Sequence, residues 1–249
     1  NVTSALIHGD VGYVALNSFS NRLLNEQMVE HIDQLILQGA KSLVLDLRDN
    51  PGGLLPQAVY VTDEFLDDGP IVFQRSRGVT NLYGAAQRGS YDMPLVVLVN
   101  ENSASASEIV AGALQESGRA VVIGEQTFGK GVGQSVISLS DGGQLEYVSF
   151  EWLTPLRNSL SEKGVTPDII VPDTRYPNTV VAEGRGLHAG QSVQLVVDGN
   201  VIGEAVAEED GTFTLMTLGA LPESSSVQGE AVVDLDTDPV LQMALSVLT

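Results

Sequence analysis

The stretch Pro94-Leu-Val-Val-Leu-Val-Asn100 is a continuous apolar, β-branched run with no polar residue alternating through it. A strand with one face in water alternates apolar and polar residues, so an unbroken run reads as a strand buried on both faces. Such a strand needs cover above and below, which for a chain of this kind means helices packed on a sheet. Two further segments share the character: Ser42-Leu-Val-Leu-Asp46 and Ala120-Val-Val-Ile-Gly124. Apolar residues at helical spacing separate these runs. Leu24, Met28, Ile32, Leu35 and Ile36 mark a helix over 21–38, a second pattern starts at Leu54, and Ile109, Val110, Ala113 and Leu114 mark a third that stops near Gly118. The alternation predicts an α/β fold.

The chemistry-bearing residues sit where these strands end. After the run 94–100 comes Asn102-Ser103-Ala104-Ser105-Ala106-Ser107-Glu108. Backbone N–H groups at a helix start lack intrahelical acceptors, and the helix dipole is positive there, so an oxyanion can be held at such a place. On its own the stretch reads most economically as a helix cap, because Ser105 and Glu108 fit the S-x-x-E capping box. After the run 42–46 comes Asn50-Pro51-Gly52-Gly53, whose glycines reach conformations closed to other residues and leave amides unshielded. Alone, it is an ordinary strand-to-helix turn.

After the run 120–124 comes Glu125-Gln-Thr-Phe-Gly-Lys-Gly-Val-Gly-Gln134. The phosphate-binding spacing G-x-x-x-x-G-K-[ST] is not met, because Gly131 follows Lys130. A lysine in such a turn is usually a solvated charge. Desolvation lowers a lysine's affinity for its proton, and a lysine buried by Phe128 and the strand 120–123 could deprotonate a serine hydroxyl. That pairing is what a serine hydrolase needs when lysine rather than histidine activates the hydroxyl.

Taken together, Leu45-Asp-Leu-Arg-Asp-Asn-Pro-Gly-Gly53, Ser103-Ala-Ser-Ala-Ser-Glu108 and Thr127-Phe-Gly-Lys-Gly-Val-Gly-Gln134 resemble the signature blocks of the carboxy-terminal processing peptidases, or tail-specific proteases. Weaker likenesses occur in the same order: Val11-Gly-Tyr-Val-Ala-Leu-Asn-Ser-Phe19, Leu153-Thr-Pro155, Gly164-Val-Thr-Pro-Asp-Ile-Ile-Val171 and Asp238-Pro-Val-Leu-Gln-Met-Ala-Leu245. The resemblance spans about residues 5–172 and 236–249, and several blocks in the right order are far more specific than any one. It implies a crotonase- or Clp-like spiral of β-β-α units. It puts the nucleophile on Ser105, the general base on Lys130 and an orienting amide on Gln134. It takes oxyanion N–H groups from Ala106 and from Gly52 and Gly53, and leaves Ser103 and Ser107 as candidates to be excluded. It implies protein or peptide substrates engaged near their C-terminal ends, no cofactor, no metal, an extracytoplasmic location (periplasmic or secreted), and a family that includes both monomers and homodimers.

The chain also departs from the family pattern. Many members carry a PDZ domain before the segment that begins here near Val2, and no carboxylate-binding loop of that type is visible. The expectation is a truncated, processed or naturally reduced form. Residues 173–235 read as a small all-β insert, sandwich- or meander-like, between a peptidase core of 1–172 and its closing segment 236–249. Its strands are expected at 192–197, 201–207 and 212–218, with hairpin turns at Asp198-Gly199-Asn200 and Glu209-Asp210-Gly211 and an edge strand at 231–235. A spacer role is the simpler reading; a substrate dock is the other.

Composition removes several alternatives. The 12 Lys and Arg against 32 Asp and Glu give a net charge of −20, which opposes nucleic-acid binding. No apolar run reaches the roughly 20 residues of a membrane helix, and no secretory signal is visible. With 0 Cys there is no thiol nucleophile or cysteine zinc site. The acidic runs at 208–210 and 234–238 lack EF-hand spacing. The 3 histidines, His8, His31 and His188, all lie far in sequence from the serine block, which makes a Ser-His-Asp triad the lesser chemistry. Two other readings remain: a catalytically silent or gated binding module on the same fold, and a crotonase-like acyl-CoA enzyme, for which no basic site for the CoA phosphates is evident.

Overall fold

The computed structural model describes residues 2–87, 89, 91–139, 142–173, 175, 180–184, 189–190, 192–197, 200–206, 208–209, 212–217 and 238–248. Two compact units are present: Asn1–Pro172 with Val240–Thr249, and Asp173–Pro239.

The first unit opens with the strands β1 (Val2–Ile7) and β2 (Val11–Leu16), then helix α1 (Leu24–Leu37), strand β3 (Ser42–Asp46) and helix α2 (Leu55–Asp63). A hairpin follows, β4 (Pro70–Ser76) and β5 (Val79–Ala85), then β6 (Leu95–Val99), α3 (Ala106–Glu116), β7 (Val121–Gly124), β8 (Val132–Ser138), β9 (Gln144–Leu153) and the short β10 (Ile169–Ile170). Six strands form one sheet in the order β1-β2-β3-β6-β7-β10. Only β1 is antiparallel to its neighbour; the pairs β2–β3, β3–β6, β6–β7 and β7–β10 are parallel. A second sheet has the order β5-β4-β9-β8, all antiparallel.

The apolar runs behave as their composition demands. Every residue of β3 and β6 is buried, the two strands lie side by side at the centre of the first sheet, and helices supply the cover. Helix α1 buries Leu24, Met28, Ile32 and Leu35, one residue per turn on one face. Helix α3 is buried from Ala106 to Leu114 and packs against α2, β4 and β7, so it lies between the two sheets. Each fully buried Val, Leu or Ile contributes about 1.5–3 kcal/mol relative to exposure, and the core holds many of them in one contiguous cluster.

The second unit is all-β in its described residues: β11 (Val180–Gly184), β12 (Ser192–Val197), β13 (Asn200–Val206) and β14 (Phe213–Thr217). The hairpin between β12 and β13 is present, with a register irregularity at Leu195/Val196. Among the described residues the expected three-strand meander is not present. β14 pairs antiparallel with β11, a strand that the sequence reading did not contain, and so belongs to a separate ladder. The turn residues Asp198, Gly199, Asp210 and Gly211 and the expected edge strand 231–235 lie outside the described residues. The chain closes with α4 (Pro239–Leu248), which buries Val240, Leu241 and Ala244. No helix among the described residues is long and apolar enough to cross a membrane.

Candidate active site

Strands β3, β6 and β7 are neighbours and parallel, so their C-terminal ends emerge along one edge of the sheet. The three segments singled out in the sequence leave from those ends: 47–54 from β3, 100–105 from β6 and 125–131 from β7. Carboxyl ends of adjacent parallel strands are where open α/β sheets place their ligands.

Ser105 occupies the turn between β6 and α3. Its backbone has φ 56° and ψ −111°, an uncommon conformation for a residue with a side chain. A strained strand-to-helix turn of this kind lifts a side chain clear of the helix it precedes. The glutamate half of the capping box forms, with the Ser105 N–H donating to Glu108 Oε2 at 2.8 Å, and the Ser105 side chain makes no cap hydrogen bond. The serines on either side are committed elsewhere. The Ser103 hydroxyl donates to the Leu47 carbonyl at 2.8 Å and accepts from the Asn100 N–H at 3.0 Å. The Ser107 hydroxyl donates to the Asn50 carbonyl at 2.8 Å. Both are fully buried at 0% exposure, while Ser105 is half-buried. Ser103 and Ser107 therefore fasten the helix start to the turn after β3, and Ser105 lines a pocket.

That pocket has a volume of about 290 Å³ and is bounded by Gly53, Ser105, Ala106 and Lys130 on its polar side. Leu55, Ile109, Val132 and Trp152 give its apolar wall. Trp152 is held edge-on against Phe150 and Tyr83, with ring centroids 4.5 Å and 5.4 Å away, an arrangement that aromatic quadrupoles favour.

The turn after β3 is built by Asn50, which is fully buried. Its side-chain amide donates to the Leu16 carbonyl at 2.6 Å, and its Oδ1 accepts the Gly52 N–H at 2.9 Å. The expectation that Gly52 lends its amide to an oxyanion is thereby corrected: that N–H already has an acceptor. Gly52 serves the site by its shape. Its φ is +94°, and a Cβ there would lie 2.9 Å from both the Ala106 nitrogen and the Ser105 Cβ. Gly53 and Ala106 line the pocket. Below the turn, Arg48 and Asp46 form a buried ion pair, Nη2 to Oδ2 at 2.6 Å, with side chains 0% and 3% exposed, and Tyr13 donates to the same Oδ2 at 2.7 Å.

Lys130 departs from expectation. It is exposed at the pocket's edge, and Phe128, expected to bury it, is 68% exposed. The apolar groups that border the same space come instead from α2, α3, β8 and β9. Gln134 lies on β8, opposite Val148 and at a register irregularity that follows Gly133. Of the histidines, His31 is paired with a serine outside the block, its Nδ1 lying 2.6 Å from Ser4 Oγ; His8 sits in a turn at φ 50°, and His188 lies outside the described residues.

Glu108 is the residue whose importance the sequence reading missed. It was legible only as half of a capping box, yet its carboxylate is fully buried and also reaches the strap that follows β7. Asn50 was hidden in the same way inside a turn motif.

Comparison with known proteins agrees with this arrangement. The chain is 45% identical over 163 residues to a carboxyl-terminal-processing protease from Picosynechococcus sp., covering 65% of this chain and 39% of that protein. A carboxy-terminal-processing protease from Bartonella bacilliformis is 43% identical over 171 residues, covering 66% of this chain and 39% of the relative. The chain thus spans about two fifths of the length of these curated relatives. Among solved structures, a photosystem II D1 C-terminal processing protease matches with a TM-score of 0.61 and 36% identity, over 69% of this chain and 47% of that one. A lipoprotein from Streptococcus agalactiae shares the fold at 15% identity and a TM-score of 0.57, over 68% of this chain and 65% of its own. The model of peptidase family S41 matches residues 10–171, which hold all three site loops, and the chain belongs to that family.

Proposed function

We propose that this chain is the proteolytic part of a serine endopeptidase that processes or degrades proteins near their C-terminal ends. One observation carries the reading: the single serine of the block not tied into the scaffold shares its pocket with Lys130 and with the backbone of Gly53 and Ala106. The Lys130 amine takes the Ser105 hydroxyl proton as Oγ bonds to the substrate carbonyl carbon. The carbonyl oxygen becomes an oxyanion facing the Gly53 and Ala106 N–H groups. The ammonium then returns its proton to the leaving amine, the C–N bond breaks, and water releases the acyl group from Ser105. Gln134 orients the lysine amine.

The substrates are unfolded or extended protein segments, and the compartment is extracytoplasmic. The chain acts as a monomer or homodimer without a metal or cofactor, and the residues 173–235 serve as a spacer between the core and its closing helix. The substrate, compartment and assembly statements rest on the family resemblance; the spacer role is the simpler reading of an all-β insert, with a substrate dock as the other.

The test is hydrolysis of unstructured peptides with free C-termini, together with labelling by a fluorophosphonate. Ser105→Ala abolishes both, Lys130→Ala lowers kcat/KM by at least about a thousandfold, and Gln134→Ala lowers it by about ten- to a hundredfold. Hydrolysis retained in Ser105→Ala but lost in Ser103→Ala or Ser107→Ala would overturn the assignment. The exposure of Lys130 favours one second reading, a gated or silent form of the same site. In that case wild-type protein labels slowly or not at all.

A further inference from the structure

Glu108 lies two positions into α3 with its carboxylate fully buried. Oε1 accepts the Thr127 hydroxyl and the Gly129 N–H, both at 2.6 Å. Oε2 accepts the Ser105 N–H and the Lys130 N–H, both at 2.8 Å. Four donors thus converge on one side chain, and a single oxygen joins the backbones of Ser105 and Lys130.

We propose that Glu108 is a positioning residue that holds the Lys130 backbone at a fixed place relative to Ser105, so that Lys130 reaches the serine by side-chain rotation alone. This rests on the serine–lysine reading above. An ordinary capping glutamate contacts only its own helix start; here three of the four donors come from a strap about twenty residues further along the chain. The strap is fastened nearby as well. The Phe128 N–H donates to the Ser103 carbonyl at 3.1 Å, and the Gly129 carbonyl accepts the Glu162 N–H at 2.9 Å. Of these fastenings, the Glu108 bonds alone act on the Lys130 amide itself. A lysine side chain has four rotatable bonds and spends most of its time away from any one target. Fixing its Cα limits the volume that the amine explores, which matters because misplacement of about 1 Å can cost a hundredfold in rate.

Only a carboxylate satisfies the site. A glutamine in its place offers one acceptor oxygen, so its amide N–H₂ must face either the Ser105 and Lys130 N–H groups or the Gly129 N–H. Glu108→Gln keeps the volume and releases part of the clamp. Thr127→Val removes a donor to Oε1 and the acceptor of the Val165 N–H at 2.7 Å while leaving the two Oε2 donors unchanged, which makes it a control for a general loss of strap order.

The experiment measures three things on the full chain: amide hydrogen exchange, fluorophosphonate-titrated active sites, and kcat per titrated site. In Glu108→Gln, exchange rises at the Ser105 and Lys130 amides and kcat per titrated site falls about a hundredfold or more, with KM within about threefold of wild type. In Thr127→Val, kcat per site stays within about tenfold. Unchanged exchange at both amides in Glu108→Gln overturns the clamp. Raised exchange with kcat per site within about threefold of wild type overturns its role in positioning. A wild-type chain that fails to label at Ser105 favours the gated or silent reading and overturns this proposal with it, and that failure is distinguished by appearing before any substitution at 108.

Discussion

Position 105 carries two demands that pull against each other. The helix start wants a residue that settles easily into a cap, whereas φ 56° with ψ −111° is a conformation that costs a side-chain-bearing residue about 1–3 kcal/mol. Glycine meets the backbone demand and nothing else. Ser105→Gly is therefore expected to be more stable than Ser105→Ala by about 1 kcal/mol, seen as a melting midpoint about 2–4 °C higher, although both lack hydrolysis. An alanine variant as stable as the glycine one would show that the turn is unstrained. The three serines illustrate what sequence can and cannot supply at this scale. Their spacing pointed to a cap and, through family pattern, to the middle hydroxyl. The physical reason for choosing it lies in the carbonyls of Leu47 and Asn50, which hold Ser103 and Ser107 and belong to another part of the chain. The exposure of Lys130 agrees with the ordinary reading of a solvated lysine in a turn, and the burial that the catalytic reading asked for is not supplied by Phe128.

At the scale of elements, the buried strands were the most legible feature. An unbroken apolar run has one comfortable place, the middle of a covered sheet, and β3 and β6 occupy it. The strap after β7 is a glycine-rich turn, as its sequence predicts, and more than that. Gly131 is needed for a close approach: its carbonyl accepts the Trp152 N–H at 2.7 Å, and a Cβ would stand 2.6 Å from the Leu160 carbonyl carbon and closer still to the Ser161 nitrogen. Gly131→Ala is expected to destabilise by about 1–3 kcal/mol and to lower kcat by displacing Lys130, measurable by thermal melting and by turnover per labelled serine. Native stability with full turnover would mean that the 160–161 backbone yields freely. In the second unit, pairing was the part that failed. Consecutive strands with turn residues between them were expected to pair in sequence, and β12 with β13 does. The pairing of β14 with β11 is non-local, and short alternating segments carry no mark of a distant partner.

For the whole molecule, net charge and the buried ion pair add to what the apolar core supplies. A net charge of −20 makes the folded chain repel itself, and that repulsion is screened by salt. The melting midpoint is expected to rise between about 10 mM and 150 mM sodium chloride; a fall would show that attractive surface pairs dominate. Asp46 and Arg48 lie under the turn after β3 with their charges almost wholly removed from water. Removing the Arg48 guanidinium takes the countercharge from a buried carboxylate that still accepts from Tyr13 and from the residue-48 N–H, so Arg48→Met is expected to cost about 3–5 kcal/mol, read by chemical denaturation. A loss below about 1 kcal/mol would mean that water reaches Asp46 when its partner is gone.

The parallel neighbours β3, β6 and β7 also fix when the site comes into being during synthesis. The strand carrying the serine pairs on one side with a strand made well before it and on the other with a strand made after it. The lysine strap then needs the segment around Leu160 to hold it. A half-made chain on the ribosome thus carries the serine with neither the lysine nor the strap's support. By this order of assembly, Ser105 and Lys130 share no finished pocket until nearly all of the core has emerged.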